Sequence, residues 1–159
     1  MNRVALLKGL ISAIGACVGV ALMFKLGALS SVPLSAIPFA TSIVLVSGMP
    51  DAPPARNRAI ILGHLICGLM GVLMHLSGFE APLMVAAAVG ASVALMLAFD
   101  AFHPPAGITP FVLYASPFNW YFLIVPVLTG AVTVAILART IQKLMELADK
   151  LSREPPAAS

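Results

Sequence analysis

Two pairs of adjacent prolines, Pro53-Pro54 and Pro104-Pro105, cut a chain that is otherwise a succession of apolar runs. Proline fixes φ and carries no backbone N–H, so no helix passes through either pair unbroken. Residues ahead of a proline are pushed towards extended backbone, which biases His103 and Pro104 away from helix. A new helix can start directly afterwards, because proline is well tolerated at the first helical position. The richer break is Phe99-Asp-Ala-Phe-His-Pro-Pro-Ala-Gly-Ile-Thr-Pro110, which sets Asp100 and His103 between two helices. In water such a stretch is an ordinary loop. The surrounding chain is 60% hydrophobic and 9% charged, against about 25% charged in a soluble domain. The expected fold class is therefore all-α: a polytopic helical membrane protein whose first partner is the lipid bilayer. The net charge of +3 comes from the flanks of the apolar segments and fits membrane orientation, not a nucleic-acid partner.

The apolar runs differ in length. Val4 to about Leu29, Ala59–Leu76, Pro82–Phe99 and Phe118–Ala138 are expected as four full-length spans. Ser35–Ser47 holds 13 residues and Pro38, and reaches only about 20 Å at 1.5 Å per residue. Ala106–Ser116 is similarly short and contains Pro110. Within the first run Lys8 and Lys25 can snorkel to the interfaces, and Gly15 and Gly19 offer a face for close helix packing. A cleaved leader ending near Cys17 is disfavoured, because Lys8 interrupts it and the apolar run continues to Phe24. His64, Gly68, Gly71 and His75 form one narrow stripe, and Ala87, Ala91, Ala94 and Ala98 another. Glu80 marks a turn, and Trp120 and Tyr121 suit the headgroup region. Cys17 and Cys67 lie inside apolar runs and read as buried thiols, not a disulfide or metal pair. The chain divides into a transmembrane domain, residues 1–138, and a cytoplasmic tail, residues 139–159. In the tail, Ile141, Leu144, Met145, Ala148 and Leu151 make an apolar stripe for the interface or a partner, and Pro155–Ser159 is expected to be disordered.

If both short runs cross, Lys25 alone of the nine Lys and Arg residues faces outside. The positive-inside bias then places both termini in the cytoplasm, with a bacterial inner membrane as the expected location. The two halves also resemble each other. Ser42-Ile-Val-Leu leads to Asp51-Ala-Pro-Pro54, and Ser92-Val-Ala-Leu leads to Asp100-Ala-Phe-His-Pro-Pro105. Proline-broken segments at corresponding positions of two halves point to a transporter binding site; the prolines equally suit plain turns.

The chemistry on offer is sparse. Helices restarting after the breaks present N–H groups and a positive dipole end, which suits an anion. Arg56 and Arg58 add fixed positive charge, and His64, His75 and His103 can donate hydrogen bonds. Asp51 and Asp100 fit pairing with these groups, a coupling proton, a cation, or mere helix capping. His75 reads as a packing histidine near a helix end, whereas intramembrane His64 and His103 are costly and point to function. The expected substrate-binding set is Asp51, Arg56, His64, Asp100 and His103, with His64 facing His103 across paired breaks. If the halves pack as inverted repeats, loss of Arg56 or His103 should abolish flux. No H-E-x-x-H, cysteine-pair or serine-nucleophile motif is present, so no enzyme, cofactor or metal is expected. An intramembrane metal-binding protein or enzyme, and a non-transporting scaffold, stand as alternatives. Six thin helices scarcely enclose a wet path while shielding short segments from lipid. A homo-oligomer is therefore expected, packed partly through the Gly15/Gly19 and Ala87/Ala91/Ala94 faces.

His103-Pro104-Pro105-Ala-Gly107, with Pro54-Ala-Arg56-Asn57 and Gly63-His64 ahead of it, resembles the signature of the HPP family of small integral membrane proteins. The resemblance covers roughly residues 33–138, about two thirds of the chain. It implies a four-span transporter of a small inorganic ion, with nitrite, handled by some plastid and cyanobacterial members, as the candidate substrate. It brings no assigned binding residues. Regulation through the soluble domain that some relatives append is not expected.

Overall fold

The computed structural model describes residues 3–30, 37–78, 82–115, 121 and 123–153. Every regular element among them is helical. Helix α1, Arg3–Ser30, has 28 residues and is about 42 Å long, more than a bilayer core requires. Helix α2, Ile37–Gly48, has 12 residues and opens with Pro38 next to its first position. A turn and the 3₁₀ segment Pro53–Ala55 lead to α3, Asn57–Leu76, whose 20 residues span fully. Gly78, at φ +71°, supplies the left-handed step that ends α3. Helix α4, Pro82–Ala98, has 17 residues. After the second break come the 3₁₀ segment Pro104–Ile108 and α5, Thr109–Tyr114. The π-helical turn Leu123–Leu128, built around Pro126, feeds directly into α6, Thr129–Arg153. Proline removes one helical donor, and the wider turn accommodates it.

Among the described residues three helices, not four, are long and apolar enough to span: α1, α3 and the run Leu123–Ser152. Helix α4, expected as the fourth, joins α2 as a shorter apolar helix, because its left-handed cap stops it about 26 Å from its start. The expected amphipathic tail helix is not a separate element either, since α6 runs unbroken across Ala138 and Arg139. Part of its stripe packs inside the chain, while Leu144 and Leu151 stay exposed. Ile141 and Ala148 are buried, Ile141 lies against Gly15, and Lys8 pairs with Asp149 at 2.8 Å. Lys8 therefore holds an acid across the helix pair. The expected turn at Glu80, the headgroup residue Trp120 and the tail Pro155–Ser159 lie outside the described residues.

Close contacts fix the helix directions. Gly15 meets Ile141 and Gly19 meets Leu137, so α1 and α6 are antiparallel; Gly19 and Gly15 also approach Ile43 and Ser47, which sets α2 antiparallel to α1. Gly68 lies against Leu123 and Val127, and Gly71 against Pro110 and Leu113, so the His64 stripe packs on both α5 and the π turn. The Gly15/Gly19 face is thus consumed within the chain, a correction to the expectation that it joins copies. Ala87, Ala91 and Ala94 do face outwards. The core gathers Met23, Phe39, Ile43, Val46, Ile60 and Val134 between α1, α2, α3 and α6. Gln142 donates to the Pro50 carbonyl at 2.6 Å and Arg58 to that of Phe99 at 2.9 Å. The start of α1, the end of α6, the first break and the Asp100 turn therefore share one end of the bundle.

Candidate functional site

The two proline breaks meet at His103. Its backbone is extended, φ −130° and ψ 92°, as the residue before a proline must be. This turns the imidazole back into the bundle, where it is fully buried. Its Nδ1 lies 2.7 Å from the Pro54 carbonyl of the first break. A carbonyl oxygen only accepts, so Nδ1 carries a proton and donates. Its Nε2 lies 2.8 Å from Ser42 Oγ on α2. The same hydroxyl lies 3.0 Å from His64 Nε2 on α3 and 2.7 Å from the Pro38 carbonyl of its own helix. The two imidazole centroids are 5.1 Å apart, and Phe39 covers His64 from the other side at 4.7 Å.

Proton counting orders this node. With both imidazoles neutral, His103 Nδ1 holds that ring's one proton, so its Nε2 offers a lone pair. Ser42 has a single hydroxyl proton, and two acceptors besides His64 contend for it. The Pro38 carbonyl is already supplied with a backbone N–H by its own helix, whereas the His103 Nε2 lone pair has no other donor and takes the proton. Ser42 Oγ then has no proton left for His64, so His64 Nε2 must be the donor. The chain reads His64 Nε2–H to Ser42, Ser42 O–H to His103, His103 Nδ1–H to Pro54. It leaves His64 Nδ1 as a bare lone pair, fully buried and with no protein partner. An unpaired buried polar atom costs about 1–3 kcal/mol.

Close packing holds these parts in place. A Cβ on Gly63 would stand 2.8 Å from His103 Cβ and 3.1 Å from the Ala101 carbonyl, so only glycine lets the second break lie so near α3. A Cβ on Gly130 would run into the Phe39 ring. Outside the node, between α2 and the second break, Thr41, Leu45, Pro104, Pro105 and Ile108 line an apolar groove of about 370 Å³. Cys67, one turn beyond His64, is buried with its thiol 3.8 Å from Met96 Sδ, whereas Cys17, also expected to be buried, is exposed on α1.

The structure brings together two of the five residues proposed from sequence, His64 and His103. Asp51, Arg56 and Asp100 are exposed at the end of the bundle, and none makes a side-chain hydrogen bond or ion pair among the described residues. Asp100 has a backbone role: at φ +49° it is the left-handed cap of α4, with its own N–H to Leu97 O at 3.2 Å and that of Ala101 to Met96 O at 2.8 Å. His75 is half-buried near the far end of α3. Ser42 was visible in the sequence only as part of the repeat, although a hydroxyl at the middle of a short apolar helix is itself a signal. That repeat is not inverted: both breaks lie at the same end, and each joins a descending to an ascending segment. Ser42 and Ser92 keep equivalent places, each with its hydroxyl oxygen 2.7 Å from the carbonyl four residues back. Among the described residues no group of three or more His, Cys, Asp or Glu side chains is placed to hold a metal ion.

Comparison with known proteins agrees with this architecture. The transmembrane region of the HPP family matches residues 1–150. Two transmembrane proteins of Dictyostelium discoideum are each 32% identical, one over 110 residues (63% of this chain, 38% of the relative) and one over 108 (63% and 35%). The match spans little more than a third of the length of those relatives. No solved structure matches. With apolar helices long enough to span, proline breaks that meet inside them and a match along nearly the whole chain, the protein belongs to the HPP family of integral membrane proteins.

Proposed function

We propose that the chain is a transporter or channel for a small inorganic anion, with nitrite as the family-based candidate. One observation carries the reading: a fully buried Ser42–His64–His103 node where two proline breaks meet inside an apolar bundle. Polar, ionisable groups at such depth are expensive and mark substrate or proton paths. In this reading the groove lined by Thr41, Leu45, Pro104, Pro105 and Ile108 is the approach to the node, and exposed Arg56 attracts the anion to the bundle. Nitrite flux into vesicles carrying the purified protein tests this. His103→Ala should lower flux at least tenfold. Arg56→Ala should raise the half-saturating concentration and leave the maximal rate. Equal flux from parent and His103→Ala would move the site elsewhere.

The end that carries both breaks and both helix termini faces the cytoplasm in this reading. Ala55 is fully buried and unsuited to labelling, whereas Asp51 and Ser152 are exposed. Single cysteines at positions 51 and 152, with exposed Cys17 replaced by alanine, should label from the same, inner side. Labelling from opposite sides would refute the topology. Copies of the chain are proposed to pack on the outward Ala87/Ala91/Ala94 face. An active monomer in lipid discs would count against that assembly.

A further inference from the structure

We propose that the node takes its anion together with one proton, held between His64 Nδ1 and an oxygen of the anion. The proposal rests on the anion-transport reading and adds the form in which the substrate is accepted. Two observations carry it. The first is the bare lone pair: the Pro54 carbonyl fixes the His103 tautomer, Ser42 passes that constraint on, and His64 Nδ1 is left as a buried acceptor without a partner. A naked anion presents only lone pairs, so it would face this atom with repulsion. A proton between them turns the contact into a hydrogen bond.

The second observation is the placement of charge. A bare anion buried in low dielectric needs a counter-charge. Arg56 and Arg58 are exposed at the end of the bundle, and Arg58 is engaged by the Phe99 carbonyl. No lysine or arginine is buried among the described residues. The groups facing His64 from the elements around it are Ser42 on α2, His103 on the second break and the Phe39 ring. On its own helix, the Cys67 thiol is turned to Met96. Asp51 and Asp100 are exposed and would only repel an anion. The counter-charge at the node is therefore the proton itself. Whether it rests on the anion oxygen or on Nδ1, anion plus proton is neutral overall, no other bond changes, and the proton leaves with the anion on the far side.

Two measurements test this. Nitrogen-15 spectra of histidine-labelled protein in lipid discs, with no anion added at alkaline pH, should show His64 protonated on Nε2 and His103 on Nδ1. A His64 ring protonated on Nδ1 overturns the proposal. Vesicles loaded with a pH dye should show one proton entering per nitrite, faster at lower pH and unaffected by an imposed membrane potential; protein-free vesicles set the background of nitrous acid crossing lipid unaided. Nitrite flux that responds to potential and moves no protons overturns the coupling and leaves the transport reading standing. No flux above background overturns the transport reading itself.

Discussion

The two proline breaks start from nearly the same sequence, leave the same end of the bundle and each begin an ascending helix, yet only one turns a polar side chain inwards. In the first, Asp51-Ala-Pro-Pro54, the prolines follow the aspartate after one residue, and the turn stays at the surface with Asp51 and Pro53 exposed. It contributes the Pro54 carbonyl. In the second, Phe102-His103 is interposed, and the longer connection carries the proline pair back up beside Thr41 and Leu45 of α2. The inserted histidine lands on the first break's carbonyl and on Ser42. Two residues thus separate a plain turn from a segment that completes a buried site.

The largest test of that difference is steric. Gly63→Leu pushes a side chain into His103 Cβ and the Ala101 backbone, which cannot retreat. It should destabilise by about 1–3 kcal/mol or more, read as a lower thermal midpoint in detergent together with lost flux. Gly107→Ala, on the far side of the same break with nothing within 4 Å, should change neither. If both glycines tolerate substitution equally, the second break is not seated as described.

Next comes the donor. His103→Ala removes the hydrogen bonds to Pro54 and Ser42 and should cost about 1–3 kcal/mol, alongside the tenfold loss of flux. Ser42→Ala should keep the fold but uncouple the two imidazoles, so that the His64 tautomer is no longer fixed in nitrogen-15 spectra. Retention of the parent spectrum would show that Ser42 does not transmit the constraint.

The equivalent aspartates give a smaller contrast. Asp100 sits at φ +49° and Asp51 does not have positive φ, so Asp100→Gly should be neutral or stabilising by up to about 1 kcal/mol. Asp51→Gly has only the entropic cost of glycine to show. Thermal midpoints of the two variants, side by side, decide it. Smallest of all is the Lys8–Asp149 pair, exposed at 37% and 41% and remote from both breaks. Lys8→Ala should shift stability by no more than about 1 kcal/mol with flux unchanged. A large loss of flux there would mean that the α1–α6 pair, and not the breaks, controls activity.

The sequence by itself determined the solvent, the all-helical class and the two breaks at the proline pairs, because these depend on local apolar length and on prolines that lack a donor. It also marked His64 and His103, since an ionisable residue in an apolar run stands out without any knowledge of packing. It did not mark Ser42 as the bridge, the Pro54 carbonyl as the atom that fixes a tautomer, or the exposure of Arg56, Asp51 and Asp100. Those depend on which face each helix turns inward. Gly15/Gly19 shows the same limit, because a small-residue face reads alike whether it meets a second copy or Ile141 and Leu137 of its own chain. Only the tertiary structure, through contacts between residues 22 to 61 positions apart, brought one hydroxyl between two imidazoles and left a single lone pair without a partner.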